Sequence, residues 1–192
     1  MRGTGSHDVV LDRVFVPDDW TFVRGARSRL DTPLFRYPPG ILIAQAHAAV
    51  GLGIARAALD AFIEVASERG ATYGRPALAD GATVQSELAK AEAELRSARS
   101  YLLAVTARTL LRPAATHAAR VGAEVARTVY RIPGTVGMFT DSRIAQCLRD
   151  AIVIPQHLLL AEGTWEQAGQ VLLGRPATAG FPWQSRQSQA IP

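Results

Sequence analysis

The chain has 192 residues, enough for one ordinary domain with appendages. Hydrophobic residues make up 48% and charged ones 20%, a globular balance that excludes disorder over the whole chain. The net charge is +4, yet basic residues form no run and acidic residues share the same segments, which argues against a nucleic-acid partner.

A single cysteine, Cys147, excludes an internal disulfide and disfavours a cysteine-built zinc site, so no metal is expected and a reducing cytoplasm fits best. The opening MRGTGSHDVV lacks the apolar centre of a signal peptide. The longest apolar stretch, Ile41 to Ala66, is interrupted by Gln45, His47, Arg56, Asp60 and Glu64, so no membrane span is expected.

Residues 1–20 read as the end of a β-domain. Val10, Val14 and Val16 share one parity, and Val9, Leu11, Arg13 and Phe15 the other. That is the pattern of a strand covered on both faces, with a bend at Asp12-Arg13 and a stop at Pro17-Asp18-Asp19. No later segment reads as a partner strand. Residues 21–40 read as a linker rich in Arg, Asp and Pro.

Residues 41–174 carry helical periodicity. Pro38-Pro39-Gly40 opens a long helix to about Arg69. Its stripe of Ala44, Ala48, Gly51, Ala55, Ala58 and Phe62 steps by four and three along one face, inviting close approach of another helix. After a loop over 70–82, a second helix is expected from Thr83 to Arg112, ended by Pro113. Its seam is Val84, Leu88, Ala91, Leu95, Ala98, Leu102 and Val105. A third helix spans Thr116 to Arg131 with Val121, Val125, Val129 and Ile132 inward. Asp141 or Ser142 caps a fourth, which Pro155 kinks or splits. Thr164 with Gln167 suggests a capping box for a short last helix ending at Gly174, and residues 175–192 form a loose or partner-docked tail. The predicted fold class is mainly α: an antiparallel four-helix bundle preceded by a remnant of a β-domain.

No phosphate-binding loop, dinucleotide fingerprint, HExxH, GxSxG or EF-hand pattern is present. The four histidines, His7, His47, His117 and His157, lie far apart in sequence, and each reads first as a surface or hydrogen-bonded core residue. His157 stands out, because it lies in the apolar run CLRDAIVIPQHLLL with Arg149 and Asp150 two turns earlier. An imidazole with an ordinary pKa near 6.5 suits proton transfer at neutrality.

Two motifs carry a resemblance. GTGSHDVVLDRVFVP at residues 3–17 resembles the closing strands of the middle β-domain in the acyl-CoA dehydrogenase superfamily. TDSRIAQCLRDAIVIPQH, with TWEQAGQVLLGRP after it, resembles the end of that superfamily's C-terminal bundle. Acyl-CoA dehydrogenases proper place a catalytic glutamate near here, but Glu162 lies too far beyond Asp150 to match that register. At the matching distance sits His157, which is similar to the flavin-dependent monooxygenase branch, the hydroxylases of hydroxyphenylacetate and the dibenzothiophene monooxygenase among them.

The resemblance implies a C-terminal half of a two-component enzyme. It would transfer one oxygen atom from O2 to a small aromatic substrate, using reduced FAD or FMN from a separate flavin reductase, and would form a homotetramer. It makes His157 the catalytic acid/base, with Arg149 and Asp150 in support. Thr4 and Ser6 become flavin contacts in the strand turn, and Arg69 or Arg75 the grip on the flavin pyrophosphate of a neighbouring subunit. Two alternatives stand beside it: an acyl-CoA dehydrogenase with Glu162 as base, and a non-catalytic helical oligomerisation module.

Overall fold

The computed structural model describes residues 7–22, 28–71, 76–105 and 108–176. The chain divides into two units, Met1–Pro39 with Thr178–Pro192, and Gly40–Ala177.

In the first unit, residues 7–16 form no β-ladder among the described residues. An extended segment becomes a strand only when a neighbour takes up its N–H and C=O groups, and no described residue does so. Both apolar parities stay exposed, Val10 at 85% and Phe15 at 88%. The predicted bend is present: Arg13 has φ 50°, in the left-handed region. The stop at Pro17 is a tight turn over Asp18–Trp20, closed by the Trp20 N–H donating to the Pro17 carbonyl at 2.9 Å. The linker also holds a short helix α1, Pro33–Arg36, with proline in its first turn.

The second unit is helical. Helix α2, Pro39–Glu68, buries the whole predicted small-residue stripe, with Ala44, Ala48, Ala55, Ala58 and Phe62 fully enclosed. Helix α3, Ala82–Ala104, buries the middle of its seam at Ala91, Leu95 and Ala98. It ends eight residues before the predicted Arg112, and α4, Arg108–Arg131, contains Pro113. The break therefore falls before the proline, not at it. Pro113 then lies inside α4, at its sixth residue, so the helix forgoes one N–H donor there.

Helix α4 packs against α3, against α5 (Arg143–Ala151) and against α6 (Gly163–Leu172). Its contact residues are mainly alanines: Ala114, Ala115, Ala118, Ala119, Ala123 and Ala126 are all buried, together with the predicted Val125 and Val129. Small side chains on several faces let one helix serve as the centre of the bundle. Glu87 near the start of α3 pairs with Arg131 at the end of α4 at 3.4 Å, which fixes these two as antiparallel.

Helix α2 meets α4 where Gly51 faces Gly122. A Cβ added at Gly122 would lie 2.8 Å from the Gly51 carbonyl oxygen, so the backbones touch with no room for a side chain. A second tie joins α2 to α3, where Glu92 accepts from Arg56 at 2.5 Å and from Arg96 at 2.6 Å. Those hydrogen bonds, Arg96 first, hold the Glu92 carboxyl below its ordinary pKa. At the far end α6 closes as predicted: Gly174 has φ 72°, and Arg175 N–H donates to Gln170 O while Gly174 N–H donates to Val171 O.

Candidate functional site

The site grows out of the way α5 ends. Ser142 caps it, its hydroxyl accepting from the Ala145 N–H at 3.4 Å. The helix stops at Ala151, before Pro155, and two single 3-10 turns follow, Ile154–Gln156 and Leu158–Leu160. His157 stands between them with extended backbone, φ −65° and ψ 134°. It ends one turn and begins the next. It is therefore not on a continuous helix with Arg149 and Asp150, and the seven-residue spacing does not set them on one face.

The Leu159 N–H donates to His157 Nδ1 at 3.2 Å. A ring nitrogen that accepts an N–H carries a lone pair, so the proton of the neutral imidazole is on Nε2. Protonating Nδ1 would set two N–H groups against each other. Burial, and then the nearby charge of His47, push the His157 pKa below its ordinary value.

The partner is His47, on α2. The two imidazoles stack with ring centroids 4.0 Å apart and planes tilted by 32°. His47 Nδ1 lies 2.8 Å from the Ile43 carbonyl, one turn back. A carbonyl only accepts, so His47 carries its proton on Nδ1 and leaves Nε2 bare. The contact follows from helix packing, since Gly51, one turn beyond His47, lies against Ile154 and Ala119. Both histidines are half-buried, and large apolar side chains flank them in sequence, with Ile43 42% and Leu158 64% exposed. In the sequence alone His47 reads as an ordinary surface or core histidine.

The other expected residues are dispersed. Arg149 is exposed and Asp150 half-buried, and among the described residues neither side chain has a hydrogen bond or ion pair. Arg69 is exposed just past the end of α2. Thr4, Ser6 and Arg75 lie outside the described residues. Glu162 is exposed and ion-paired with Arg120. Cys147 is buried, and burial pushes its thiol up, away from reactivity. Among the described residues no cluster of three or more His, Cys, Asp or Glu could hold a metal, and no helix is long and apolar enough to cross a membrane.

Beneath the site lies a buried guanidinium. Arg112 donates to the Leu159 carbonyl at 3.4 Å, to Thr164 Oγ1 at 3.3 Å and to Gln167 Oε1 at 3.4 Å. It thus ties α4 to α6 and to the turn after His157. Burial lowers its pKa. The predicted capping box is corrected here. Thr164 lies inside α6, fully enclosed, the helix begins after Glu162 with no side-chain cap, and Thr164 and Gln167 receive Arg112 instead. A separate cleft of about 1020 Å³, lined by Ser97, His117, Arg120, Arg127, Gln156 and Glu162 among others, opens between α3, α4 and residues 152–162. Neither His47 nor His157 lines it.

The family model described as acyl-CoA dehydrogenase, C-terminal domain, matches residues 45–162. The chain is 43% identical to an indole-3-acetate monooxygenase of Pseudomonas putida over 94% of its own length and 51% of the relative's. It is 34% identical, over the same shares, to an indole-3-acetate monooxygenase of Acinetobacter baumannii. It spans about half the length of these curated relatives. In fold it is similar to XiaF from Streptomyces sp., solved in complex with FADH2 and glycerol, with TM-score 0.77, 20% identity, and coverage of 88% of this chain and 49% of that one. It is also similar to the 3-HSA hydroxylase from Rhodococcus sp. RHA1, with TM-score 0.68, 20% identity, and coverage of 78% and 43%. The match over residues 45–162, on a bundle of this architecture, places the chain in the acyl-CoA dehydrogenase family, whose C-terminal helical domain it carries.

Proposed function

We propose that this chain is the C-terminal half of a flavin-dependent monooxygenase that oxygenates a small aromatic acid of the indole-3-acetate type. The 43% identity to an indole-3-acetate monooxygenase across 94% of the chain carries the reading. FAD is the flavin of choice, in line with the FADH2 bound by XiaF. A separate reductase supplies it reduced, and the working form is a homotetramer.

The donor set fits one wall of a flavin and substrate pocket. Helix α2 carries no charged side chain from Pro39 to Ala55, so the histidine pair stands on an uncharged surface that would exclude water. His157 offers an Nε2–H to an acceptor on substrate or flavin. Arg69 stands 22 residues beyond His47, roughly 33 Å along the helix at about 1.5 Å per residue, so it would serve the flavin of a neighbouring copy. When bound, the flavin supplies activation of O2. The chain's own residues orient the aromatic ring, keep water out, and hold a proton at His157 Nε2.

An acyl-CoA dehydrogenase reading is less well supported, because Glu162 is committed to Arg120 and exposed. The test is to assay the protein as its host produces it, with reduced FAD, isotopically heavy O2 and indole-3-acetate. Product carrying one heavy oxygen atom is expected. Consumption of O2 to hydrogen peroxide alone, with indole-3-acetate unchanged, would overturn the reading.

A further inference from the structure

The His47–His157 stack is chemically asymmetric, and the asymmetry is fixed by backbone groups. The Leu159 N–H occupies His157 Nδ1, and the Ile43 carbonyl holds the proton of His47 Nδ1. His157 therefore has no free lone pair in this arrangement. It donates through Nε2–H but takes up a proton only by losing the bond from Leu159. His47 keeps its Nδ1–H bond whether neutral or protonated, and its Nε2 has the free lone pair.

We propose that His47 is the proton acceptor of the site and that His157 is its hydrogen-bond donor, a division of labour that rests on the monooxygenase reading above. A ring N–H or O–H of the aromatic substrate passes its proton to His47 Nε2. The N–H or O–H bond breaks, the new N–H bond forms, and the electron pair stays on the substrate. His47 becomes an imidazolium, and the developing negative charge is met by His157 Nε2–H. Electron density pushed into the ring favours its attack on an electrophilic oxygen.

The surroundings suit this placement. Helix α2 has no charge between Pro39 and Ala55, and residues 152–160 contain no titratable group besides His157. Helix α4 contributes Arg112, which donates to the Leu159 carbonyl, and His117 and Arg120, which line the separate cleft. Stacking at 4.0 Å means that a proton on one ring disfavours a proton on the other. The pair takes one proton, and the bonds to Ile43 and Leu159 direct it to His47.

Two measurements test the proposal independently. Nitrogen NMR of protein labelled on its histidine rings, assigned through His47→Gln and His157→Gln, reports tautomers without any activity. Near neutral pH it should find His47 protonated at Nδ1 and His157 at Nε2. His157 protonated at Nδ1, or His47 at Nε2, would overturn the proposal. In turnover, His47→Gln should lower kcat about a hundredfold or more and remove the acidic inflection of kcat/KM. His157→Gln should lower kcat and leave that inflection in place. The reverse pattern, with the inflection surviving in His47→Gln and lost in His157→Gln, would also overturn it. If the parent protein oxygenates nothing, the functional reading fails, while the NMR result still decides the tautomers.

Discussion

Replacing Gly122 with alanine probes the contact on which the site depends. The new Cβ would lie 2.8 Å from the Gly51 carbonyl oxygen and 3.0 Å from its carbon, both backbone atoms that no rotamer change can move. The helices α2 and α4 must separate locally. Overpacking of this kind costs about 1–3 kcal/mol. Alanine's better helix propensity returns about 1 kcal/mol, so the net loss is about 0–2 kcal/mol. In a chain of this size that lowers Tm by up to about 8 °C. Gly53, two residues from Gly51 on the exposed side, is the control: a Cβ there meets nothing within 4 Å. Gly53→Ala should gain about 0.5–1 kcal/mol from propensity alone. Urea and thermal unfolding of both variants measure the difference. Gly122→Ala as stable as Gly53→Ala would refute the close-approach argument. Because Gly51 also touches Ile154, Gly122→Ala should disturb the ring signals of His47 and His157, and Gly53→Ala should not.

Further outcomes follow from other parts of the same unit. Thr164→Val removes an acceptor from the buried Arg112 guanidinium and should cost about 1–2 kcal/mol in urea unfolding. Thr116 is fully buried and its hydroxyl has no hydrogen-bond partner among the described residues, so Thr116→Val should leave stability unchanged or raise it by about 1 kcal/mol, checked by the unfolding midpoint. The folded His157 pKa lies below the ordinary 6.5, so the unfolded chain binds more protons as pH falls. The stability linked to this group is complete above about pH 6.5 and is lost as pH drops through the folded value. In His157→Gln that part of the pH slope should vanish in denaturation series, while the rest of the curve stays.

Much of the bundle was legible because its signals are local. The stripe from Ala44 to Phe62 and the seam through Ala91, Leu95 and Ala98 are read directly from steps of three and four, and both are buried as read. Gly174 was legible as a stop because a left-handed residue favours glycine. Pro113 misled, since proline is strongly disfavoured inside a helix, yet α4 carries it at its sixth residue. Thr164 and Gln167 have the spacing of a capping box, but a buried arginine fifty-two residues away in sequence claims Thr164. The same limit hid His47. Its meaning comes from His157, which the packing of Gly51 against Ile154 and the end of α5 at Ala151 bring against it. Residues 7–16 read as a strand by parity, yet a ladder needs a partner that no described residue supplies.

The measurement closest to the central claim is a structure of the protein, as its host produces it, with reduced flavin and an aromatic acid bound. The account predicts the aromatic ring within hydrogen-bonding reach of His47 Nε2 and His157 Nε2. An aromatic acid seated instead in the cleft lined by His117, Arg120 and Glu162, with the histidine pair facing neither ligand, would contradict it.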